Sequence, residues 1–259
     1  MAFKKKLKSL ILRAGPLPVW RFFRRHELTI LAIHGVMDEG VETRWTPLRK
    51  QLPRKQLDRV LGVLSKHYNL ISVDTAIQHL NGDIAPLKHP LVLTFDDGYA
   101  NNFRHALPIL KRHQAPAVFY VVTNQIESQQ PFWFDRLDYA LQKAAFKKKT
   151  VHIRDQAIEI DNSSRGALKR SYATLRKAAK LLDDDLEMRD TLNAIAASIE
   201  TDDESRLSSF CADDDWTAIA DWETLKEANA DELVTIGSHT VDHIRIGNRR
   251  PIVVCTKTA

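Results

Sequence analysis

The segment LVLTFDDG at residues 91–98 decides how this chain is interpreted, because an apolar, β-rich run leads directly into two adjacent carboxylates and a glycine. The run predicts a buried strand, and Gly98 permits a sharp turn where the strand ends. In a parallel α/β barrel, catalytic groups gather where strands end and loops begin. Asp96 and Asp97 are therefore candidates for a functional site, although Asp-Gly by itself is also a common turn signal.

Further apolar, β-rich runs on either side of this segment predict more buried strands, at residues 28–33, 69–73, 117–122 and 233–237. Helical spacing of apolar residues occurs between them, as for Leu57, Leu61 and Leu64 or for Phe103, Leu107 and Leu110. Strands that alternate with helices predict an α/β fold with a parallel sheet or barrel.

A second polar motif, SHTVDH at residues 238–243, follows the last of these predicted strands. On one turn of helix, His239 and His243 would share a face and could bind one ion together. With a distant aspartate they would supply two imidazoles and one carboxylate, a donor set that leaves positions open for water. A polar loop without metal is the alternative for the pair alone. The occurrence of both motifs at predicted strand ends favours a metal site.

The stretch from about residue 132 to 227 is charge-rich and predicts a mostly helical insertion between strands. It contains two acidic triplets, at residues 183–185 and 213–215. Because consecutive acidic residues point in different directions, these triplets predict solvated faces or loops and not metal clusters.

Charge and cysteine content bear on location and partners. The formal net charge is +5, and the basic residues concentrate in the first 25 positions. This head is too short and too interrupted in its apolar run for a signal peptide or a spanning helix. A solvated leader is the favoured interpretation, and peripheral contact with an anionic membrane through Trp20, Phe22 and Phe23 is the alternative.

The two cysteines, Cys211 and Cys255, form no Cys-x-x-Cys pair. They support neither a disulfide framework nor a cysteine zinc site, so we expect a reducing, cytoplasmic location, with the inner face of the membrane as the alternative. Nucleic-acid binding is disfavoured because the positive charge is terminal and the candidate site is acidic.

Residues 94–98 (TFDDG) and 238–243 (SHTVDH) resemble the first two motifs of the polysaccharide deacetylases, carbohydrate esterases similar to chitin and peptidoglycan deacetylases. The resemblance extends through LAIHGV at residues 31–36 and WFD at residues 133–135, and it covers roughly residues 28 to 246. It implies a distorted, incomplete (β/α) barrel with a long helical insertion. It also implies a hydrolase that removes N-acetyl groups from an amino-sugar-containing glycan or polysaccharide precursor.

By the same resemblance, Asp97, His239 and His243 match the metal ligands and Asp96 matches the catalytic base. The implied cofactor is one divalent metal, zinc, with cobalt, manganese or iron as alternatives. We further expect His34 and Tyr99 to line the substrate pocket. For His34, a hydrogen bond to backbone at a strand end is the alternative.

The predicted organisation has five parts. They are a basic leader (residues 1–27), the first part of the barrel (28–131), the helical insertion (132–227), the strand and His-x-x-x-His motif (228–248) and an atypical tail (249–259). The tail lacks the Arg-x-Pro-Tyr-Gly-like and Leu-x-His segments of the family, so we expect a truncated or frame-shifted chain. The alternative function is therefore a catalytically impaired homologue that binds metal and glycan.

Overall fold

The structure is a computed structural model that describes residues 22–40, 43–182, 184–200 and 206–245. Most of the predicted basic leader, including Trp20, lies outside the described residues, as do the atypical tail and Cys255. Phe22 and Phe23 are described and are exposed. None of the helices in the described ranges combines the length and apolar character that a membrane crossing requires.

A parallel sheet forms the centre of the molecule. The strands, in chain order, are β1 (Thr29–Ile33), β2 (Val36–Met37), β3 (Leu52–Pro53), β4 (Asn69–Leu70), β5 (Pro90–Phe95), β6 (Ala117–Val121), β7 (Lys148–Ile153), β8 (Gln156–Asp161) and β9 (Val234–Ser238). The central sheet has the order β1-β5-β6-β9, and β4 pairs with the first two residues of β5. All these pairings are parallel, so the carboxyl ends of the strands lie at one edge.

Eight α-helices and a π-helix lie in the described ranges. They are α1 (Arg54–His67), α2 (Val73–Asn81), a π-helix (Asn102–Ala106) that continues into α3 (Leu107–Arg112), α4 (Thr123–Ser128), α5 (Trp133–Lys143), α6 (Arg165–Ala179), α7 (Asp185–Ala197) and α8 (Trp222–Asn229). Every residue of β5 is buried, which is expected when both faces of a parallel strand are covered. The predicted α/β class is confirmed, and within the described residues the sheet does not close into a barrel.

The predicted strand at residues 69–73 is shorter than expected, because α2 begins inside it. Ser72 is the N-cap of α2, and its hydroxyl accepts a hydrogen bond from the Thr75 N–H at 3.2 Å. A serine that satisfies a free amide of the first turn favours helix over continued strand. Only Asn69 and Leu70 remain in β4.

The predicted insertion is not uniformly helical, because it contains the antiparallel hairpin β7–β8. Val151 and Ile153 are buried on one strand, Ile158 and Ile160 on the other, and their neighbours are more exposed. This alternation has the period of two that a half-buried strand requires. The sequence does not predict the hairpin clearly, because the apolar residues on both sides of it have helical spacing.

Two carboxylates of the acidic triplets are buried, although the sequence predicts solvated faces or loops for both triplets. Asp214 is buried and accepts hydrogen bonds from the Trp45 indole at 3.2 Å and from the Thr217 hydroxyl at 2.7 Å. Asp185 is also buried and pairs with Arg245. The prediction of a solvated position is therefore wrong for Asp214 and Asp185. Each carboxylate accepts hydrogen bonds, which offset the cost of burying a charge. Asp183 lies outside the described residues.

Candidate metal centre

The turn after β5 places Asp97 in the interior. The Asp96 N–H still donates to the Ile33 carbonyl at 2.8 Å, so the pairing with β1 continues one residue past the strand. Asp97 (φ 78°) and Gly98 (φ 83°) then both take left-handed backbone conformations. Such a conformation is strained for aspartate, and strain of this kind concentrates at functional sites. The turn directs the Asp97 carboxylate into the protein, where its side chain is 1% exposed.

The loop after β9 brings both predicted histidines to this carboxylate. His239 directly follows β9, and its N–H donates to the Val121 carbonyl at 2.8 Å. Its Nε2 lies 3.9 Å from Asp97 Oδ1, and the Nε2 of His243 lies 3.3 Å from the same oxygen. The ring centroids of the two histidines are 5.1 Å apart.

The spacing of His239 and His243 predicts that the pair lies on a helix. In the structure the pair does not lie on a helix. Residues 239–245 form an irregular loop in which Thr240 (φ 69°) and His243 (φ 55°) are left-handed. The Thr240 hydroxyl accepts the Ile244 N–H at 3.2 Å and closes this loop on itself. The two imidazoles therefore converge through two backbone reversals and not through helical periodicity.

The three side chains fit a divalent cation. Each offers one ligand atom, and these atoms all lie within 4.8 Å of one another. Both carboxylate oxygens of Asp97 are buried, and neither receives a hydrogen bond from any described residue. A buried ionised carboxylate without a donor is costly unless a cation compensates it. Two imidazole nitrogens and one carboxylate oxygen also form a donor set that suits zinc and related metals.

The local charges keep Asp97 ionised. Burial opposes ionisation, but His243, His34 and Arg49 together hold the pKa of Asp97 below its usual value. Burial lowers the pKa of His239, and the proximity of His243 acts in the same direction. An ionised carboxylate and a neutral imidazole are the forms in which these residues bind metal.

Asp96 has a different environment from its neighbour. It is half-buried, and burial raises the pKa of its carboxyl group, while His239 and His34 partly offset that effect. It is not among the residues whose ligand atoms converge on the candidate cation position. A carboxylate beside a metal position, with a raised pKa, has the properties expected of a general base.

A charged network supports Asp97 from one side. An Arg49 guanidinium nitrogen, Nη2, lies 3.8 Å from Asp97 Oδ2 and donates to the Tyr99 hydroxyl at 3.4 Å. Tyr99 in turn donates to Asp135 Oδ2 at 2.6 Å. Burial raises the pKa of Asp135 to about 7, although Arg49 opposes this shift. The guanidinium carbon of Arg49 also lies 4.2 Å from the ring centroid of Phe134.

The two predicted pocket residues, Tyr99 and His34, differ in their exposure to solvent. Tyr99 is 0% exposed, and the network just described occupies its hydroxyl. This burial does not fit a direct substrate contact, so Tyr99 supports the turn beneath the site instead. His34 is exposed and lines a cavity of about 730 Å³ together with Arg49. No hydrogen bond from His34 to backbone is present among the described residues, so its role in substrate binding stays a prediction.

Helix α7 holds the loop that carries His243. The Asp185 carboxylate accepts hydrogen bonds from the backbone N–H and from Nε of Arg245, the latter at 2.7 Å. Arg189, one turn further along α7, donates to Asp242 at 3.0 Å. The imidazole of His243 contacts the Phe132 and Phe134 rings edgewise, with centroids 5.4 and 5.8 Å away. Ion pairs on one side and aromatic rings on the other thus fix the orientation of this histidine.

Sequence reasoning did not find Arg49, Asp185 or Arg245. Arg49 lies in a loop 48 positions before Asp97, and no local pattern distinguishes it from the other arginines. Asp185 belongs to an acidic triplet whose sequence predicts a solvated face or loop. The sequence offered a signal for Asp135, because this residue belongs to the WFD segment at residues 133–135 that carries part of the family resemblance.

Comparison with known proteins gives one family match. The model of the family described as polysaccharide deacetylase matches residues 84–254, which include all four predicted site residues at Asp96, Asp97, His239 and His243. A comparison with curated proteins finds no match.

Several solved structures are similar to this chain. A de-N-acetylase from Aggregatibacter actinomycetemcomitans is 20% identical, with 83% of this chain and 55% of that chain covered and a TM-score of 0.42. The BpsB deacetylase domain from Bordetella bronchiseptica is 18% identical, with 86% and 61% covered and a TM-score of 0.38. IcaB from Ammonifex degensii is 27% identical over 38% of this chain and 40% of that chain, with a TM-score of 0.33. The chain thus spans between two fifths and about three fifths of the length of these proteins.

Proposed function

The chain belongs to the polysaccharide deacetylase family, and on that premise we propose that it is a metal-dependent hydrolase that removes N-acetyl groups from an amino-sugar-containing glycan. The observation that carries the proposal is the convergence of Asp97, His239 and His243, with Asp96 adjacent in the chain. The substrate is a carbohydrate acetamide, since deacetylation of a polysaccharide is the reaction for which the family is named.

Asp97, His239 and His243 would hold the metal, which we assign as zinc. Zinc is bound by imidazole nitrogen and carboxylate oxygen, and its catalytic sites keep an open position for water or substrate. Cobalt, manganese and iron remain alternatives for the same donor set. When bound, such a cation lowers the pKa of a coordinated water towards ~7 and polarises the carbonyl of the acetamide.

Asp96 is the general base of the reaction. It accepts the proton of the attacking water, which its half-buried position beside the histidines favours. Its pKa is raised by burial, so it holds that proton more strongly than an exposed aspartate would. The proton taken up by Asp96 passes to the amide nitrogen as the C–N bond breaks, and the products are acetate and a free amine on the sugar.

The remaining groups of the site orient these residues. Arg49 faces the Asp97 oxygen Oδ2, whereas the histidines face Oδ1, so the guanidinium leaves Oδ1 available on the side of the imidazoles. Phe132 and Phe134 shield one side of His243 from water. We propose that His34, which is exposed and lies near Asp96 and Asp97, contacts the substrate.

Acetate release with and without metal tests the proposal. The purified full chain is freed of metal with a chelator, supplied with zinc, and assayed on N-acetylglucosamine oligomers. We expect acetate release only with metal, and loss of bound zinc in a His239→Ala, His243→Ala double variant. Zinc binding without acetate release would instead favour the alternative of an impaired homologue, and unchanged zinc content in the double variant would contradict the assigned site.

A further inference from the structure

The cavity of about 730 Å³ that Arg49 lines is bordered by strand β1, by β3 and by helix α1. β1 is an edge strand, because within the described residues it pairs only with β5. The volume lies within the ~300–1,000 Å³ range of small-molecule sites. None of the proposed metal ligands, Asp97, His239 and His243, lines this cavity. The cavity is therefore a candidate for a ligand site of its own.

Much of the cavity wall is apolar. β1, β3 and α1 supply these side chains, which are Leu31, Ala32, Ile33, Leu52, Pro53 and Val60. A ligand that contacts such a wall removes its own apolar surface from water, and each buried methylene raises the affinity by about fourfold. The wall therefore favours a ligand with an apolar chain over a ligand that is polar throughout.

The charged side chains that line the cavity are both positive. Arg49 and Lys50 are adjacent in the chain, and no aspartate or glutamate is among the described lining residues. Lys50 is exposed and forms no ion pair with a described residue. His34 also lines the cavity, and its imidazole can donate a further hydrogen bond. An anionic group in the cavity would therefore face two cations and no lining carboxylate.

Arg49 keeps donors available for such an anion. Its Nη2 faces Asp97 and donates to the Tyr99 hydroxyl at 3.4 Å, whereas Nε and Nη1 make no hydrogen bond to a described residue. The ring of Phe134 lies 4.2 Å from the guanidinium carbon and limits its movement. Guanidinium N–H groups form strong hydrogen bonds with phosphate oxygens. Arg49 can thus bind an anion while it keeps its contact with Tyr99.

The loop that carries the two cations is held on both sides. The Leu48 N–H donates to Asp138 Oδ2 at 2.7 Å, and the side chain of Gln51 donates from Nε2 to the Trp216 carbonyl at 2.7 Å. A loop that is ordered before the ligand arrives reduces the entropy cost of binding. The backbone positions of Arg49 and Lys50 are therefore set in advance.

We infer that this cavity binds an amphiphile with a phosphate head and an apolar chain. The phosphate contacts Arg49 and Lys50, and the chain contacts β1 and Val60. A phosphate monoester carries about −1.5 to −2 charges at pH 7, so it matches two cations better than a carboxylate, which carries one. The inference goes beyond the proposed function, because neither a metal nor an acetamide takes part in this binding.

Calorimetric titration of the full chain tests the inference. A chelator is present, so that the result does not depend on metal, and all probes stay below their micelle concentrations. The probes are butyl, hexyl and octyl phosphate, and the comparison ligands are inorganic phosphate, octanoate and the neutral octyl ether of tetraethylene glycol. We expect octyl phosphate to bind at least about tenfold more tightly than butyl phosphate, since more methylenes are buried, and more tightly than each comparison ligand.

A pair of lysine variants tests the position of the phosphate. Lys50→Gln should weaken binding of octyl phosphate about two- to fivefold, the range for one exposed ion pair. The matched control is Lys55→Gln, at an exposed position of α1 that does not line the cavity. This control should bind octyl phosphate as the unmodified chain does.

A pair of valine variants tests the position of the apolar chain. Val60→Gln should reduce the gain in affinity from butyl to octyl phosphate. The matched control is Val63→Gln on the same helix, where the side chain is 52% exposed and does not line the cavity. Circular dichroism checks that all four variants are folded.

Several results would overturn the inference. Equal affinity for butyl and octyl phosphate would exclude the apolar chain, and binding of inorganic phosphate as tight as that of octyl phosphate would indicate a site for free anions. Equal affinity for octanoate or for the neutral ether would contradict the phosphate head. Equal effects within either pair of variants would place the ligand elsewhere. A failure of zinc-dependent acetate release would bear only on the proposed function, because the titrations contain no available metal.

Discussion

The guanidinium Nε of Arg245 donates to the buried carboxylate of Asp185 at 2.7 Å, which joins the loop carrying His243 to helix α7. Arg245 lies only two residues after His243, so this pair limits the positions that the imidazole can take. A residue of the segment between β6 and β9 thereby acts on the candidate metal centre without contacting the metal position.

Loss of this pair should weaken metal binding. Removal of groups that orient metal ligands typically costs ~10–100-fold in affinity, so Asp185→Ala should reduce zinc affinity by about tenfold or more. Competition with a fluorescent zinc chelator measures the change. Glu187→Ala is the matched control, because its side chain lies on the same helix, is 42% exposed and pairs with Arg154 and not with the loop that carries His243. Equal zinc affinity in the two variants would contradict the role of Asp185.

Substitution of Asp96 and of Asp97 should affect different properties of the protein. Asp97→Asn should reduce bound zinc, because Asp97 is a ligand in the proposed site. Asp96→Asn should retain zinc and lower acetate release by ~10²–10⁴-fold, the usual contribution of a general base. Elemental analysis and an acetate assay on the same preparations separate the two effects. Equal zinc loss in both variants would show that the roles are wrongly assigned.

Metal should stabilise the folded protein. A ligand that binds only the folded state adds ~2.7 kcal/mol to the free energy of unfolding at 100 times its dissociation constant. Zinc should therefore raise the thermal unfolding midpoint, and a chelator should reverse the increase. In the His239→Ala, His243→Ala double variant we expect no response. A similar increase in that variant would place the stabilising zinc elsewhere.

Asp135 should make the metal-free protein less stable as the pH rises. Burial raises the pKa of Asp135 from 3.8 to about 7, so between these values the folded state binds a proton that the unfolded state has released. The contribution of the protonated form is complete below pH ~4 and is lost as the pH approaches about 7. Asp135→Asn removes this titration.

Urea unfolding of the metal-free protein at pH 5 and pH 7.5 measures the effect. The free energy of unfolding should fall less between these two pH values in Asp135→Asn than in the unmodified chain. Asp83→Asn, at an exposed position after α2, should behave like the unmodified chain. Parallel pH profiles for Asp135→Asn and the unmodified chain would contradict an elevated pKa.

Much of the fold could be predicted from local patterns. The run that became β5 is apolar except for Thr94, and a strand buried on both faces favours such a composition. The hairpin β7–β8 was missed, although its buried residues alternate, because helical spacing dominates the residues around it. The short β4 was overextended, since the helix cap at Ser72 competes with strand formation.

The sequence by itself determined which residues could serve as ligands, because Asp97, His239 and His243 follow strands whose carboxyl ends lie at one edge of a parallel sheet. Only the tertiary structure decided how they meet. Left-handed backbone conformations at Asp97 and His243 turn the two side chains towards each other. Neither residue is a glycine, so the sequence does not indicate these conformations. The partners Arg49 and Asp185 come from distant parts of the chain. Electrostatic attraction depends on the distance between charges in space and not on their separation along the sequence. The spacing of residues in the sequence therefore does not predict those contacts.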